Sequence, residues 1–520
     1  MTHIDIDKLP DDPTKLKAVL WEREQRVHLL EHQVFLLQRH SYGPTSEKLS
    51  SAQQTFEFAR EAAVEDLPEP QAEQREEKAA RRKSQPCGRR PFPPEWPRVD
   101  VIHALPESEL ICPCCLKPMA KIGEEVSEEL DYIPPQCRVK RNVRYKYACQ
   151  DCHEGVKIAP PPVKVVEQGL ASSSTVATVI VDKFDDHLPL YRQSERFARL
   201  GFEISRGTLC SWVGQGAERL RPLWDWMRRN VIGAPVIWTD DTPVKVLEPG
   251  RGKTRTARFW VYLGDETHPY AVFDFTPSRR RDGPEKFLKT FKGYLQADAY
   301  RGYDGICAGL NVLEVACWAH ARRKFFESQE TDRKAQEMLL LIGELYAIED
   351  VARPIIEAAR AKVEPERTAA LAHAYALRQQ LRELKARPVL ERIRICLEAQ
   401  RLETLPKSPL GQAVQYAKNQ WMALTRYVEN GILEIDNNTS ERTLRDVAVG
   451  RKNWLFLGND ASGERAAILY SIIATCKRHD VNPWEYLKDV LLRVSTHPAS
   501  RIEELLPQNW RRLFGTAQPP

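Results

Sequence analysis

The pattern of apolar residues predicts a long helix at the start of the chain, within residues 1–50. Apolar side chains recur there at alternating three- and four-residue spacing, which is the pattern of a coiled-coil seam. The seam positions are Leu20, Val27, Leu30, Val34 and Leu37. The pattern predicts dimerisation through this helix, and the alternative is an amphipathic helix that packs on its own protein.

The next three segments differ from one another in composition. Residues 51–97 hold few large apolar side chains and change from acidic to basic and Pro-rich, which is typical of a disordered linker. Residues 98–165 carry short strand-like runs around paired cysteines. Residues 166–233 read as helices, with a turn at Gly201 and a further helix opened by Ser205. This succession of helix, turn and helix is typical of a helix-turn-helix, although any helical hairpin has it too.

From residue 234 the apolar pattern becomes that of strands. Within residues 234–326 three β runs follow in close succession, and helix and strand then alternate, which is the order of a ribonuclease H-like α/β core. Residues 327–431 are almost purely helical and are expected to be an insertion. The core resumes at 432–462, and 463–520 form a helical tail.

The predicted fold class is therefore multidomain α/β. A ribonuclease H-like catalytic core with a helical insertion would be preceded by a coiled-coil helix, a zinc ribbon and a helix-turn-helix-like region expected to bind DNA.

Composition narrows the functional class only slightly. The chain is 42% hydrophobic and 29% charged, with a net charge of +5. No run approaches the roughly 18 apolar residues of a membrane span, and the polar start lacks the pattern of a signal peptide. We expect a cytoplasmic protein without a membrane partner. In that reducing compartment, closely paired cysteines indicate a metal site rather than disulfides.

Two C-x₂-C pairs on strand-like arms predict a tetrahedral zinc site. Its ligands would be Cys112, Cys115, Cys149 and Cys152. Four thiolates leave no open position, so one Zn²⁺ would be structural rather than catalytic. Other possible ligands are Cys114, Cys137 and His153.

Three carboxylates are candidates for phosphodiester chemistry. Asp240 follows the apolar run VIW, Asp298 closes the strand YLQ, and Glu441 lies in the first turn of a later helix. In a ribonuclease H-like sheet the two strands are neighbours, so both aspartates would reach one edge. Two Mg²⁺ (or Mn²⁺) ions held by the three acids could activate the attacking oxygen and stabilise the leaving one.

Each acid also has a simpler interpretation. An Asp at a strand end is often a turn former, and Glu441 could complete a capping box with Asn438 as N-cap, or pair with Arg445. Rival metal ligands are Asp241, Asp304, Asp436 and Asp446.

Basic residues near the acids are candidate DNA contacts, because phosphates are bound by Lys and Arg along a groove. His320 is a candidate for the scissile phosphate, or else a core histidine. The other candidates are Arg206, Arg279, Arg280, Arg281, Arg322, Arg323, Lys324, Arg445, Arg451 and Lys452. Runs of this kind are more often solvated surface.

The sequence resembles the DDE transposases of the insertion sequence 66 family nearly end to end. The matching blocks are YGPTSEKL, CPCC, CQDC, DKFDDHLPLYRQ, TDDTPVKVL, LQADAYRGYDGI, ACWAHARRKFFE, NNTSERTLRDVAVGRKNWLF and VNPWEYLKDVLLR. Two positions depart from the family pattern: Asp241 stands where the family usually has Glu, and Tyr42 where it usually has Phe.

The resemblance implies a divalent-metal site at Asp240, Asp298 and Glu441, in a DNA transposase of the bacterial nucleoid. Such an enzyme recognises the terminal inverted repeats of its element, then cleaves and transfers DNA strands. The resemblance also implies a homodimer or higher oligomer on terminal-repeat and target DNA, and two small accessory proteins. A nuclease of the same fold and a transposase-derived regulator without catalysis are the alternatives.

Overall fold

The computed structural model describes most of the chain from residue 139 to residue 514. The described residues are 139–144, 146–147, 157–158, 161–166, 169–248, 250, 252–307, 311–329 and 332–514. The predicted coiled coil, the predicted linker and the four cysteines of the predicted zinc site lie outside them. Two short strands, Lys146–Tyr147 and Lys157–Ile158, pair antiparallel within the predicted ribbon segment.

The helices predicted within residues 166–233 are present, and their packing joins them to the sheet that follows. They are α1 (Ser173–Phe184), α2 (Leu190–Arg199) and α3 (Arg206–Ile232). Gly201 turns the chain at φ 83°, and the Ser205 hydroxyl accepts the Thr208 N–H at 3.1 Å, which opens α3 as expected. On α3, the Trp224 indole N–H donates to the Phe273 carbonyl at 3.0 Å. This helix therefore packs against the α/β core.

Within the described residues, five longer strands form one mixed sheet. They are β1 (Val236–Leu247), β2 (Thr254–Leu263), β3 (Ala271–Thr276), β4 (Gly293–Gln296) and β5 (Val312–Val315). The strand order is β3-β2-β1-β4-β5. The first three strands pair antiparallel, whereas β4 joins β1 and β5 joins β4 in parallel. The chain is thus a mixed α/β protein.

Helices connect and surround the strands. Short helices α4 (Asp282–Phe287) and α5 (Asp304–Cys307) lie between strands, and α6 (Trp318–Ser328) follows β5. The later helices are α7 (Lys334–Arg360), α8 (Glu366–Leu381), α9 (Arg387–Glu403), α10 (Pro409–Asn419), α11 (Trp421–Thr425), α12 (Asn438–Trp454), α13 (Asp460–Arg478), α14 (Pro483–Arg493) and α15 (Pro507–Leu513). A π-helical segment, Arg382–Ala386, joins α8 to α9. None of the helices in the described ranges is long and apolar enough to cross a membrane.

The segment from α7 to α11 is attached to the core through the buried Arg382. Arg382 is fully buried and makes a bidentate ion pair with Glu349, in which Nε and Nη2 donate to the two carboxylate oxygens at 2.7 and 2.8 Å. Its guanidinium also donates to the carbonyls of Tyr427, Asn430 and Leu433. A guanidinium presents five donors in one plane, so a single side chain can tie the helices to the turns that lead into α12.

The outer strand β3 is covered by helix α13. Ser471 and Thr475, both buried, accept the backbone N–H groups of Phe273 and Ala271 at 2.7 and 3.2 Å. Gly463 permits this close approach, because a Cβ there would lie 2.5 Å from the Phe275 ring. Side chains of α13 thus satisfy the edge of the sheet, which would otherwise expose unpaired strand donors.

Candidate active site

The parallel pairing of β1 with β4 brings Asp240 and Asp298 together. The last paired residues are Trp238 and Gln296, and each aspartate lies two residues beyond its member of this pair. Neighbouring strands lie about 4.8 Å apart. The expectation that Asp240 ends its strand is wrong, because β1 continues to Leu247 along the antiparallel partner β2. The short strand β4 ends at this point. The sheet edge beside Asp240 and Asp298 therefore lies at the end of β4.

Helix α12 brings Glu441 to the same edge. Its N-cap is Asn437, not Asn438, and the amide of Asn437 donates to the Thr239 carbonyl at 2.9 Å. Thr239 immediately precedes Asp240 on β1. The capping-box interpretation of Glu441 is wrong, because the Asn438 N–H donates to Asp436 instead. The helix that carries Glu441 is therefore tied to the backbone beside Asp240.

The electrostatics of Asp240 reflect this crowding. Burial raises the pKa of Asp240 well above its usual range, and the charges of Asp298, Glu441 and Asp241 raise it further. Burial also raises the pKa of Glu441, as does Asp298, whereas His320 and Arg323 lower it. Like charges brought together in a poorly solvated place disfavour ionisation unless a cation joins them.

Asp241 has a different environment from Asp240, because successive residues of a strand face opposite sides. Its side chain is 1% exposed, and the Arg279 guanidinium donates to Oδ1 at 2.9 Å. Arg258 Nη1 lies 2.9 Å from Oδ2, as an ion pair rather than an aligned hydrogen bond. The two arginines already balance the negative charge of the Asp241 carboxylate. Asp240 makes no ion pair with a described Lys or Arg, so it is the better candidate for binding a metal ion.

The side chains of Arg279 and His320 lie against the acids. Arg279 reaches from Asp241 towards Asp298, with Nη2 3.9 Å from Asp298 Oδ2, and stacks 4.2 Å from the ring centre of Tyr300. The Tyr300 hydroxyl donates to the Arg279 carbonyl, which holds the stack in place. On α6, His320 Nε2 lies 3.7 Å from Glu441 Oε1. Arg279 and His320, both expected near DNA, thus lie at the acids.

The remaining predicted DNA contacts are distributed more widely. Arg206 is exposed at the start of α3, and Arg280 and Arg281 are exposed beside Arg279. Arg451 donates to Thr242 Oγ1 at 3.0 Å and to the Pro243 carbonyl, so this side chain fastens α12 to β1.

Five further candidates lie along helices α6 and α12. Arg323 pairs with Glu327 on its own helix at 3.1 Å, while Arg322 and Lys324 lie over the rings of Phe326 and Tyr416. The exposed candidates on α12 are Arg445 and Lys452.

The donor set suits a hard divalent cation. Carboxylate oxygens are the ligands that Mg²⁺ and Mn²⁺ prefer, and a cation would offset the mutual repulsion that raises the pKa of Asp240. Among the described residues, no group of three or more His, Cys, Asp or Glu side chains is arranged closely enough to hold a metal ion as it stands. The rival candidate Asp436 accepts from Asn438 and Tyr346, which commits its oxygens to the turn before α12.

Comparison with known sequences identifies the family. The model of the transposase IS66 family matches residues 168–465, more than half of the chain and the whole region that contains the three acids. The chain belongs to the transposase IS66 family. The IS66 C-terminal element matches residues 471–508. The zinc-finger binding domain of transposase IS66 matches 109–153, and the model described as the transposase C of IS166 homeodomain matches 29–101.

Three relatives of this IS66 family member come from Sinorhizobium fredii (strain NBRC 101917 / NGR234). The uncharacterized protein y4jD is 34% identical over 436 residues, covering 81% of each chain. The uncharacterized protein y4qI is 32% identical over 515 residues, covering 96% of this chain and 92% of its own. The uncharacterized protein y4hP is 31% identical over 449 residues, covering 82% and 77%. The similarity to y4qI therefore extends over nearly the whole chain.

Several residues that assemble the site of this IS66 family member escaped the sequence reasoning. Asn437 and Gln296 are fully buried amides, and Gln296 donates to the carbonyls of Glu434 and Asp436 and accepts the Glu434 N–H. Cys317 is a buried thiol whose Sγ accepts the Asn437 N–H at 3.2 Å. The sequence signal for these residues was a polar side chain at a position expected in the core. Their hydrogen-bond partners lie more than 100 residues away in the chain, so the sequence did not show what they contact.

Proposed function

We propose that this chain is a DNA transposase that recognises the terminal inverted repeats of its insertion sequence. It would cleave and join DNA strands at a metal site formed by Asp240, Asp298 and Glu441. The observation that carries the proposal is the meeting of these acids at one sheet edge, where Asp298 and Glu441 both raise the pKa of Asp240. The match to the transposase IS66 family over the same residues supports it.

We assign the sheet and its helices to a ribonuclease H-like core. The strand order β3-β2-β1-β4-β5, with β2 antiparallel to its neighbours, supports this assignment. The first and fourth strands are central and parallel, so acids that follow their paired residues are adjacent. The proposal thus explains why two acids 58 residues apart in sequence (298 − 240) meet, and why α12 must supply the third.

The residues divide into metal-binding and phosphate-binding groups. Asp240, Asp298 and Glu441 would hold two Mg²⁺ or Mn²⁺ ions, which supply activation of the attacking oxygen and stabilisation of the leaving oxygen. Arg279 is 42% exposed on its side chain and would turn from Asp298 to a DNA phosphate once that carboxylate has another partner. His320, beside Glu441, would contact the scissile phosphate.

The N-terminal part of the chain would bind DNA and organise the complex. We assign one structural Zn²⁺ to Cys112, Cys115, Cys149 and Cys152, all of which lie within the matched zinc-finger segment. The helices around Arg206 would contact the terminal repeats, and the N-terminal helix would join copies in a dimer or higher oligomer. Target DNA and two small accessory proteins would complete the assembly, in the cytoplasm on the DNA of the nucleoid.

A strand-transfer assay tests the proposal. The full chain is incubated with paired duplexes from the ends of the DNA element that encodes it, a plasmid target and Mg²⁺. We expect cleaved and joined products that disappear with EDTA and return with Mg²⁺ or Mn²⁺. Asp298→Asn should lower both activities at least about a hundredfold while DNA binding persists, because the metal site contributes several kcal/mol to the transition state. The matched control is Asp282→Asn, an exposed aspartate at the start of α4.

The products distinguish the alternatives. Joining supports a transposase, and cutting without joining in the presence of paired ends indicates a nuclease of the same fold. DNA binding without either reaction indicates a regulator. If Asp298→Asn cleaves as well as the wild type does in Mg²⁺, the assignment of the metal site is wrong.

A further inference from the structure

The chain leaves helix α12 through an unusual exposed turn. Leu455, which follows the helix, has φ 62° and ψ −50°, and the Phe456 N–H donates to the Trp454 carbonyl at 2.7 Å. This is a γ-turn with positive φ at its central residue, a conformation that is strained for any residue with a Cβ. Strained backbone persists where the surrounding structure imposes it, and such positions cluster at functional sites.

The turn presents two large apolar side chains to solvent. Leu455 is 64% exposed and Phe456 is 46% exposed. We call these two residues the Leu455–Phe456 tip. Burying either side chain would be favourable, so their exposure on a strained turn calls for a partner that covers them.

The tip is held rigidly from both sides. On one side the Leu455 N–H donates to the Arg451 carbonyl at 2.9 Å. On the other, Leu457 is buried and pairs with β1: its N–H donates to the Lys245 carbonyl, and its carbonyl accepts the Leu247 N–H, each at 2.9 Å. A rigid apolar tip differs from a mobile loop because little conformational entropy is lost when it is covered.

The position of the tip relates it to the acids. Leu457 is paired with Val246, six residues along β1 from Asp240, which corresponds to about 20 Å at a rise of about 3.3 Å per residue. DNA advances about 3.4 Å per nucleotide, so this distance spans about six nucleotides. Exposed lysines flank the tip: Lys245 on β1, and Lys452 in the last turn of α12.

We propose that the Leu455–Phe456 tip is a wedge that inserts between stacked bases of duplex DNA, about six nucleotides from the strand held at Asp240. Lys245 and Lys452 would contact the phosphates on either side. Apolar side chains that enter a base step unstack it and bend the duplex, and Phe and Leu are among the residues used. The positive charges favour DNA over an apolar protein surface as the partner. This inference rests on the proposed function, because it takes its DNA from the proposed active site.

The experiment uses the full chain and duplexes of the element's end that carry 2-aminopurine at successive positions. Unstacking of a base raises the fluorescence of this probe. We expect the wild type to raise it at one step, about six nucleotides from the cleavage position. Phe456→Ala should abolish the rise and weaken binding of the duplex about 5- to 100-fold, the usual effect of losing an aromatic ring that stacks on a base. Phe456→Trp should restore both.

Two further variants separate a wedge from a structural role. Leu455→Asn removes the apolar side chain without adding backbone strain, because Asn is found at positive φ more often than Leu, so it should fold as the wild type does and still lose the fluorescence signal. Met422→Ala is the matched control, because Met422 on α11 is 72% exposed and apolar but distant in sequence from the tip. It should behave as the wild type in both measurements.

The outcomes for the wedge and for the proposed function are distinct. Wild-type protein that joins DNA ends without a local fluorescence rise overturns the wedge alone. If Phe456→Ala changes the oligomeric state of the protein without DNA but leaves the fluorescence rise intact, the tip is an interface between copies of the chain. This result also overturns the wedge. Wild-type protein that neither binds nor joins the ends overturns the proposed function and the wedge with it.

Discussion

The amide of Asn437 offers the sharpest test of how the three acids are held together. Asn437 is fully buried, its Nδ2 donates to the Thr239 carbonyl at 2.9 Å, and its Oδ1 accepts the Ser440 hydroxyl. Asn437→Ala removes both bonds and leaves buried polar atoms without these partners. At about 1 kcal/mol for the bonds and 1–3 kcal/mol for the unsatisfied groups, we expect a loss of about 2–4 kcal/mol.

Urea unfolding followed by tryptophan fluorescence measures this loss, and Mg²⁺-dependent cleavage measures its effect on the site. Asn437→Asp is the informative partner variant, because it keeps the shape and the acceptor for Ser440 but cannot donate to Thr239. The cleavage activity of Asn437→Asp should fall further than that of a variant with an exposed Asn replaced by Asp. Asn419→Ala, at the exposed end of α10, should change stability by less than about 0.5 kcal/mol. If Asn437→Ala unfolds and cleaves as the wild type does, this amide does not position Glu441.

Three further predictions follow from buried or strained groups. Arg382→Met leaves Glu349 buried without its partner and should lower stability by about 3–5 kcal/mol, measured by urea unfolding; an unchanged midpoint would contradict the role of this ion pair. Burial raises the pKa of Asp274 from 3.8 to about 6, so the folded chain keeps a proton there that the unfolded chain has released. Stability should therefore fall as pH rises from about 4 to about 6, and Asp274→Asn should make the fall shallower in pH-dependent melting curves. Ala299, next to Asp298, has φ 62°; Ala299→Gly should preserve stability to within about 1 kcal/mol, while Ala299→Val should lower stability and cleavage together.

The sequence predicted the elements of the sheet because each has a strong local signal. The runs that became β1, β2 and β3 are rich in β-branched and aromatic residues, and Gly and Pro separate them. The helix carrying Glu441 and the one opened by Ser205 were recognisable from their polar starts. The family followed from whole blocks of sequence and is confirmed by the match over residues 168–465.

The joints between elements could not be predicted, because their partners are far apart in the chain. The N-cap of α12 was misplaced by one residue, since Asn437 and Asn438 are equally good caps locally and only the contact with Thr239 distinguishes them. Asp240 was placed at a strand end because polar residues interrupt the apolar run there. The antiparallel pairing with β2 extends β1 past Asp240, whereas the pairing with β4 stops at Trp238. The residues of β1 alone do not show that its two partner strands differ in length.

The long interval between Asp298 and Glu441 has a consequence for the timing of synthesis. The ribosome must add 143 residues after Asp298 (441 − 298) before Glu441 exists, which takes about 7 to 30 seconds at 5–20 residues per second. Helix α13, which covers the edge of β3, is made later still. The first two acids are thus synthesised well before the groups that complete their surroundings. A chain released early by a truncated message would carry both aspartates but not Glu441, so we expect it to be unable to cut DNA.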